Sequence, residues 1–199
     1  MSTHIKNVVR QINQNISEQL DSKHVISFIT PGGLVGQQTL IANLALMYGT
    51  ADKKTLIIDT DFSRDIFPSV FNLSAKYGLA DYIGKPSMAL SDVIQDLPGR
   101  NVSFISSGNT SGDDVKYLLG DPRFSELIEH VKTQYTYVLI NTPTFVGDIG
   151  FLDSICNLSE GIILVLQLRK VPKKSVYKLM ETVKRNSNQK ILGYVNLED

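Results

Sequence analysis

Apolar residues along this chain follow two spacings that take turns. Ile5, Val8, Val9, Ile12, Ile16 and Leu20 recur every three or four residues in a background rich in Asn and Gln, predicting an amphipathic helix over about 3–21. The continuous apolar run Val25–Thr30 then reads as a buried strand, Pro31–Gly36 as a glycine-rich turn, and Gln37 onward to Tyr48 as a helix. KTLIID (Lys54–Asp59) is a strand ending on a carboxylate. Leu79–Ile83 and Ser87–Leu97 read as short helices about a Gly84-Lys85-Pro86 turn, and Asn101–Ser106 as a strand. Pro122–Tyr135 is a helix with Phe124, Leu127, Ile128 and Val131 on one face, followed by the strand Tyr137–Asn141. Gly161–Leu168 suits a central parallel strand, Ser175–Asn186 a helix, and Lys190–Asn196 a last strand. Strands alternating with helices predict a three-layer α/β fold with a mostly parallel central sheet, as a single domain over 1–199. Ligands of such sheets sit at the carboxyl ends of the strands, where Gly36, Asp59, Asp61 and Asn141 are placed. The first helix is expected to pack on its own domain, with a subunit or partner contact as the alternative.

Composition narrows the function classes. A chain of 199 residues with 42% apolar content has ample material for a core. The net charge is zero, which argues against nucleic-acid binding driven by bulk charge. The single Cys156 excludes an intrachain disulfide and fits a reducing compartment. No apolar run approaches the roughly 20 residues of a membrane span, and the first residues lack a signal-peptide pattern. The expectation is a cytoplasmic protein whose membrane location would come from a partner.

Strand, glycine loop and helix N-terminus in that order make an anion cradle, because loop N–H groups and the helix dipole converge on one point. The P-loop pattern G-x-x-x-x-G-K-[ST] has this architecture. Here Gly36 is followed by Gln37 and Gln38, where Lys and a hydroxyl residue are expected, and then by Thr39.

Seven segments together resemble the cytoplasmic domain of bacterial tyrosine kinases (BY-kinases), relatives of the partition and septum-site ATPases of the deviant-Walker class. GLVGQQTLIANLA (residues 33–45) is similar to the family's PGEGKSTTAANLA, and LIIDTDFSRD (56–65) to LLIDADLRRP. GLADYI, ISSG, RFSELI and YTYVLINTPT resemble GLSDVL, LPAG, RFxELL and YDYVIIDTPP, and the closing strands correspond. The resemblance implies a P-loop NTPase-like fold, a role in capsule or exopolysaccharide synthesis, ATP or ADP with Mg²⁺ as cofactor, and a transmembrane polysaccharide co-polymerase or chain-length adaptor as partner. It also implies nucleotide binding by Gly36, Gln37, Gln38 and Thr39, a magnesium role for Asp59 and Asp61, and Asp61 as the catalytic base toward an attacking tyrosine. The structural alternative is that both acids cap the segment that follows them.

The departures fall on the chemistry. Gln37 is uncharged, Gln38 offers an amide where the family has a magnesium-ligating hydroxyl, and Asn141 replaces the Asp that ends the third Walker element. Replacing charged by neutral hydrogen bonds forfeits about 1–2 kcal/mol per contact, or roughly two to four decades of binding over three positions. The expectation is a catalytically weak or inactive, pseudokinase-like member with scaffolding or regulatory work. Its alternatives are an active Mg-ATP-dependent autokinase or ATPase, and a partition-type protein binding nucleic acid or membrane, which the neutral charge disfavours.

The ring-forming motif of the family, E-x-x-R-x-x-R-x-N, maps onto Asn7, Arg10, Asn13 and Asn15, so Arg10 and Asn15 are the remaining candidates for oligomer or partner contact. The family's tail of tyrosines has no counterpart after Tyr194, which lies in a predicted strand and reads as a core or sheet residue. His4, His24 and His130 lack metal-ligand spacing, and His130 reads as a helix-surface residue. Arg64 could reach an anion near Asp61. Arg169, Lys170, Lys173 and Lys174 form a basic cluster read as a solvated loop.

Overall fold

The computed structural model describes residues 3–20, 24–32, 36–63, 66–108, 115–144, 150–167, 170–185 and 190–197. Its elements run α1 (Thr3–Gln19), β1 (His24–Ile29), α2 (Gln37–Thr50), β2 (Thr55–Asp59), α3 (Phe67–Phe71), α4 (Leu79–Gly84), β3 (Gln95–Asp96), β4 (Val102–Ile105), α5 (Val115–Gly120), α6 (Pro122–Gln134), β5 (Tyr137–Asn141), α7 (Gly150–Leu158), β6 (Gly161–Leu166), α8 (Lys173–Arg185) and β7 (Lys190–Asn196). The sheet order is β3-β4-β2-β5-β1-β6-β7, with only β3–β4 antiparallel among the described pairs. The expected three-layer α/β fold with a mostly parallel sheet is the fold found.

Strand alternation sorts the core into layers. Ile26 and Phe28 of β1, Ile57 of β2, Leu139 of β5 and Val165 of β6 face α1 and α2, where they meet Ile16, Ile41 and Leu44. Val25, Leu56, Ile58, Val138 and Ile140 face the other way, onto α4 and α6. Ile29, Ile162 and Leu164 pack there against α7 and α8. The central strands are apolar throughout because both faces are covered. The first helix packs on its own domain through Val9, Ile12 and Ile16, all buried.

Three expectations need correction. Ser87–Leu97 is not a helix, although Met88, Leu90, Val93, Ile94 and Leu97 have helical spacing. The Asp92 side chain accepts from Ala89 N at 3.0 Å and caps the start of a single tight turn at Leu90–Asp92, which does not continue because the next residues enter the sheet. The chain then extends as β3, and Leu97 N donates to Val102 O at 2.9 Å to close a hairpin around Gly99, whose φ is +67°. Tyr194 does lie in the sheet, but it is 68% exposed and no core residue. A register shift between Ile162 and Ile163 sits opposite Gly193, and beyond it Tyr194 pairs with Leu164. Lys173 and Lys174 open α8 and are not loop residues.

Candidate functional site

Three parallel strands end side by side. Phe28 of β1 pairs with Asn141 of β5, and Asn141 with Asp59 of β2, so the three form one row across the sheet. Their positions in the alternation turn them toward α2, whose first residue is Gln37. Gly36 makes this close entry possible: its φ is +133°, and a Cβ there would meet Leu197 Cδ1 at 3.0 Å.

The Gln37 side chain reaches back over the strand ends. Its Nε2 lies 2.8 Å from Asn141 Oδ1, 3.2 Å from Phe28 O and 3.2 Å from Thr142 O. Two of these are backbone carbonyls, which only accept, so the nitrogen end must face them. Asn141 Oδ1 accepts from Gln37, which leaves its Nδ2 to donate to Asp59 Oδ1 at 2.7 Å. A donor relay therefore runs Gln37 to Asn141 to Asp59, wholly buried, and the carboxylate closes it. The Gln37 Oε1 is buried with no hydrogen-bond partner among the described residues. A neutral amide at this position carries no positive charge to attract phosphate oxygens, as a lysine ammonium would.

The two acids take local N–H groups. Asp59 Oδ1 accepts from Asp61 N at 3.0 Å, and Asp61 Oδ1 from Ser63 N at 3.2 Å and Ser63 Oγ at 2.5 Å. Both are successive side-chain turns of the capping kind, and both carboxylates are buried. Gln38 is buried as well, while Thr39 is exposed on the first turn of α2. The residues at 37, 38 and 141 thus fit a Mg²⁺–nucleotide poorly: they offer no cation for the terminal phosphates and no hydroxyl at position 38. Asp59 is the carboxylate of the strand-end row, Asp61 follows two residues beyond it, and Thr39 is the first hydroxyl on α2.

Asp59, Asp61 and Asn141 lie at or just beyond neighbouring strand ends as expected, and Gln37, the residue after Gly36, bonds to Asn141 there. Arg10 and Asn15 are not part of this group. Asn15 Nδ2 donates to Leu192 O within the same chain at 3.4 Å. Arg10 is exposed beside a groove of about 470 Å³ between α1 and α2, bordered by Asn43, Leu46, Met47 and Arg100. His130 is exposed on α6 as expected, and His24 is buried 3.8 Å from Glu160. Arg64, Arg169 and the Gly33–Val35 part of the glycine loop lie outside the described residues. Sequence reasoning missed Thr142, whose Oγ1 donates to Phe28 O at 2.8 Å and ties β5 to β1 beside Gln37. It also missed Ser63 and Leu197. A hydroxyl residue directly after a strand-ending Asn was the one available signal.

The family model described as an AAA domain matches residues 23–192. The tyrosine-protein kinase CpsD of Streptococcus agalactiae (serotype III) is 29% identical over 161 residues, covering 80% of this chain and 68% of its own. Among solved structures, the chimerical protein CapA2B2 superposes with a TM-score of 0.83 at 24% identity, over 94% of this chain and 82% of that one. The kinase domain of the Escherichia coli tyrosine kinase ETK gives 0.81 at 20% identity, over 96% and 74%. The septum site-determining protein MinD of Pyrococcus horikoshii, complexed with Mg-ADP, gives 0.71 at 24% identity, over 87% and 70%.

Proposed function

The chain belongs to the AAA-domain family, in the branch similar to bacterial tyrosine-protein kinases, and from that premise we propose that it is a catalytically weak or inactive relative that acts by interaction in capsule or exopolysaccharide synthesis. One observation carries the reading: Gln37 and Asn141, two neutral amides, bond to each other at 2.8 Å in the seats of a catalytic cation and a catalytic anion. Phosphoryl transfer is catalysed almost wholly by positioning and charge, and both charges are gone. ATP or ADP with Mg²⁺ binds weakly or not at all in this reading. The protein works in the cytoplasm, held at the membrane by a transmembrane co-polymerase or chain-length adaptor. Self-association into a homo-oligomer is a further part of the proposal, with Arg10 on the exposed face of α1 as its contact.

The competing reading is a slow Mg-ATP-dependent autokinase or ATPase that regulates chain length and export. Retention of Asp59 and Asp61, both buried at the end of β2, favours it. In that reading Asp59 and Asp61 hold the metal, and Asp61 accepts the proton of a tyrosine hydroxyl.

Incubation of the pure protein with Mg-ATP, followed by intact mass and phosphate release, separates the two. An unchanged mass and no release above background support the interaction role. A gain of phosphate on tyrosine refutes it.

A further inference from the structure

Helix α8 carries a charge the rest of the chain does not share. Its sequence KKSVYKLMETVKR places Lys173, Lys174, Lys178, Lys184 and Arg185 on the exposed side, against one anion there, Glu181. At 3.6 residues per turn these positions and Tyr177 fall within an arc of about 140°. The opposite arc holds Leu179, Thr182 and Val183, buried on the β6 side of the core. So a protein of zero net charge concentrates four net positive charges on one helix face.

The face also has exposed aromatic groups. Tyr177 is 69% exposed in the middle of the arc, and Tyr194 is 68% exposed on β7. Tyr194 pairs with Leu164 and Ile191 with Ile162, and the latter three belong to the α7–α8 layer. Tyr194 therefore emerges on the same flank as α8. Burial of the helix's inner face accounts for its apolar residues, whereas Lys173, Lys174, Lys184, Arg185, Tyr177 and Tyr194 are all exposed outside it.

We propose that the α8 flank, with Lys173, Lys174, Lys184, Arg185, Tyr177 and Tyr194, docks directly onto an anionic lipid surface. Charge complementarity selects the partner class, since each basic side chain near an anionic leaflet adds to attraction within a Debye length. The shape selects among anions. A convex helix face with projecting tyrosines suits a planar interface, where a phenol places its ring among acyl chains and its hydroxyl among headgroups. A nucleic-acid strand is held better by a groove. The contact is independent of the nucleotide site and of any protein adaptor.

Sedimentation with vesicles tests it, using the full chain in 50 mM salt. Vesicles of phosphatidylcholine with about 30% phosphatidylserine should pellet the protein, and pure phosphatidylcholine should not. Lys173→Glu/Lys174→Glu/Lys184→Glu should lower the bound fraction at least about tenfold. Lys53→Glu/Lys76→Glu/Arg100→Glu, an equal charge change elsewhere on the surface, should lower it less than about threefold. Tyr177→Ser should weaken binding with no change in its salt dependence, and a melting curve for each variant confirms folding. No sedimentation with the anionic vesicles, equal loss in the two triple variants, or tighter retention on random duplex DNA than on vesicles would overturn the proposal.

Discussion

Gln37 Nε2 donates to Asn141 Oδ1 at 2.8 Å, and the same Asn141 donates to Asp59 Oδ1 at 2.7 Å. The two amides form a matched pair: each group's donor end meets an acceptor, so changing one alone leaves the other mismatched. Asn141→Asp places a second carboxylate against Asp59 in a buried setting and removes the donor that joined them. It should destabilise the protein by about 3 kcal/mol. Gln37→Lys alone should cost about 1–2 kcal/mol by burying a cation. The double variant restores a charge pair and should recover at least about 2 kcal/mol of the summed loss, read as coupling in urea unfolding. Additive losses would show that the two side chains do not act as a unit.

The Asn141→Asp variant also has a signed pH dependence. Two neighbouring carboxylates raise their folded-state pKa above the unfolded value. The folded state then holds more protons than the unfolded one near neutrality, so stability falls as pH rises. The variant's deficit relative to the parent should be smaller at pH 5 than at pH 8.

Gly78 and Gly84 flank the same short helix and should respond oppositely to alanine. A Cβ on Gly78 would lie 2.4 Å from Gly108 N and 2.6 Å from Ser106 O, where α4 docks through Leu79 N to Ser106 O at 2.8 Å. Backbone must move, and the cost should exceed about 3 kcal/mol. A Cβ on Gly84 meets nothing within 4 Å, and Gly84→Ala should be neutral or stabilising by up to about 1 kcal/mol. Thermal unfolding of the two variants compares them directly.

Ile16 of α1 is fully buried among core residues of both α2 and the sheet. Ile16→Ala should cost about 3 kcal/mol in unfolding free energy. A loss under 1 kcal/mol would mean that α1 is only loosely attached and that its apolar face is kept for another molecule.

Burial pushes the Cys156 thiol up to about 12 and raises Tyr48, Tyr135 and Tyr137 above the ordinary phenol value. Each group keeps its proton in the folded state after the unfolded chain has lost it. Stability is unaffected below about pH 7.5, where the unfolded thiol begins to ionise, and falls progressively above it as the unfolded thiol and then the unfolded phenols lose protons that the folded state keeps. Urea midpoints between pH 8 and 11 should decline accordingly. At pH 8 Cys156 should react with a disulfide reagent only after unfolding.

The parallel strands were legible because both of their faces are buried, which leaves unbroken apolar runs such as VLI in β5 and IILVL in β6. Strand ends then placed Gly36, Asp59 and Asn141 together from the sequence alone. Other features depend on tertiary context. The five-residue α3 is too short to show a period, and α7 begins beside residues of no clear pattern. Ser87–Leu97 has helical spacing, but the pairing of β3 with β4 and the hairpin bond from Leu97 N to Val102 O override it. The substitutions at 37, 38 and 141 could be seen in the sequence. That Gln37 turns its nitrogen onto Asn141 and leaves Oε1 buried with no partner among the described residues could not, because it depends on the carbonyls of Phe28 and Thr142.

The central claim is that the amide pair has replaced the charges a nucleotide requires. Calorimetric titration with ADP and ATP, each with and without Mg²⁺, tests it most directly. The account predicts no saturable heat below about 1 mM nucleotide and no effect of Mg²⁺, consistent with losing roughly two to four decades of affinity. Micromolar binding that tightens with Mg²⁺ would contradict it, and would show that loop N–H groups with Asp59 and Asp61 suffice to hold the nucleotide.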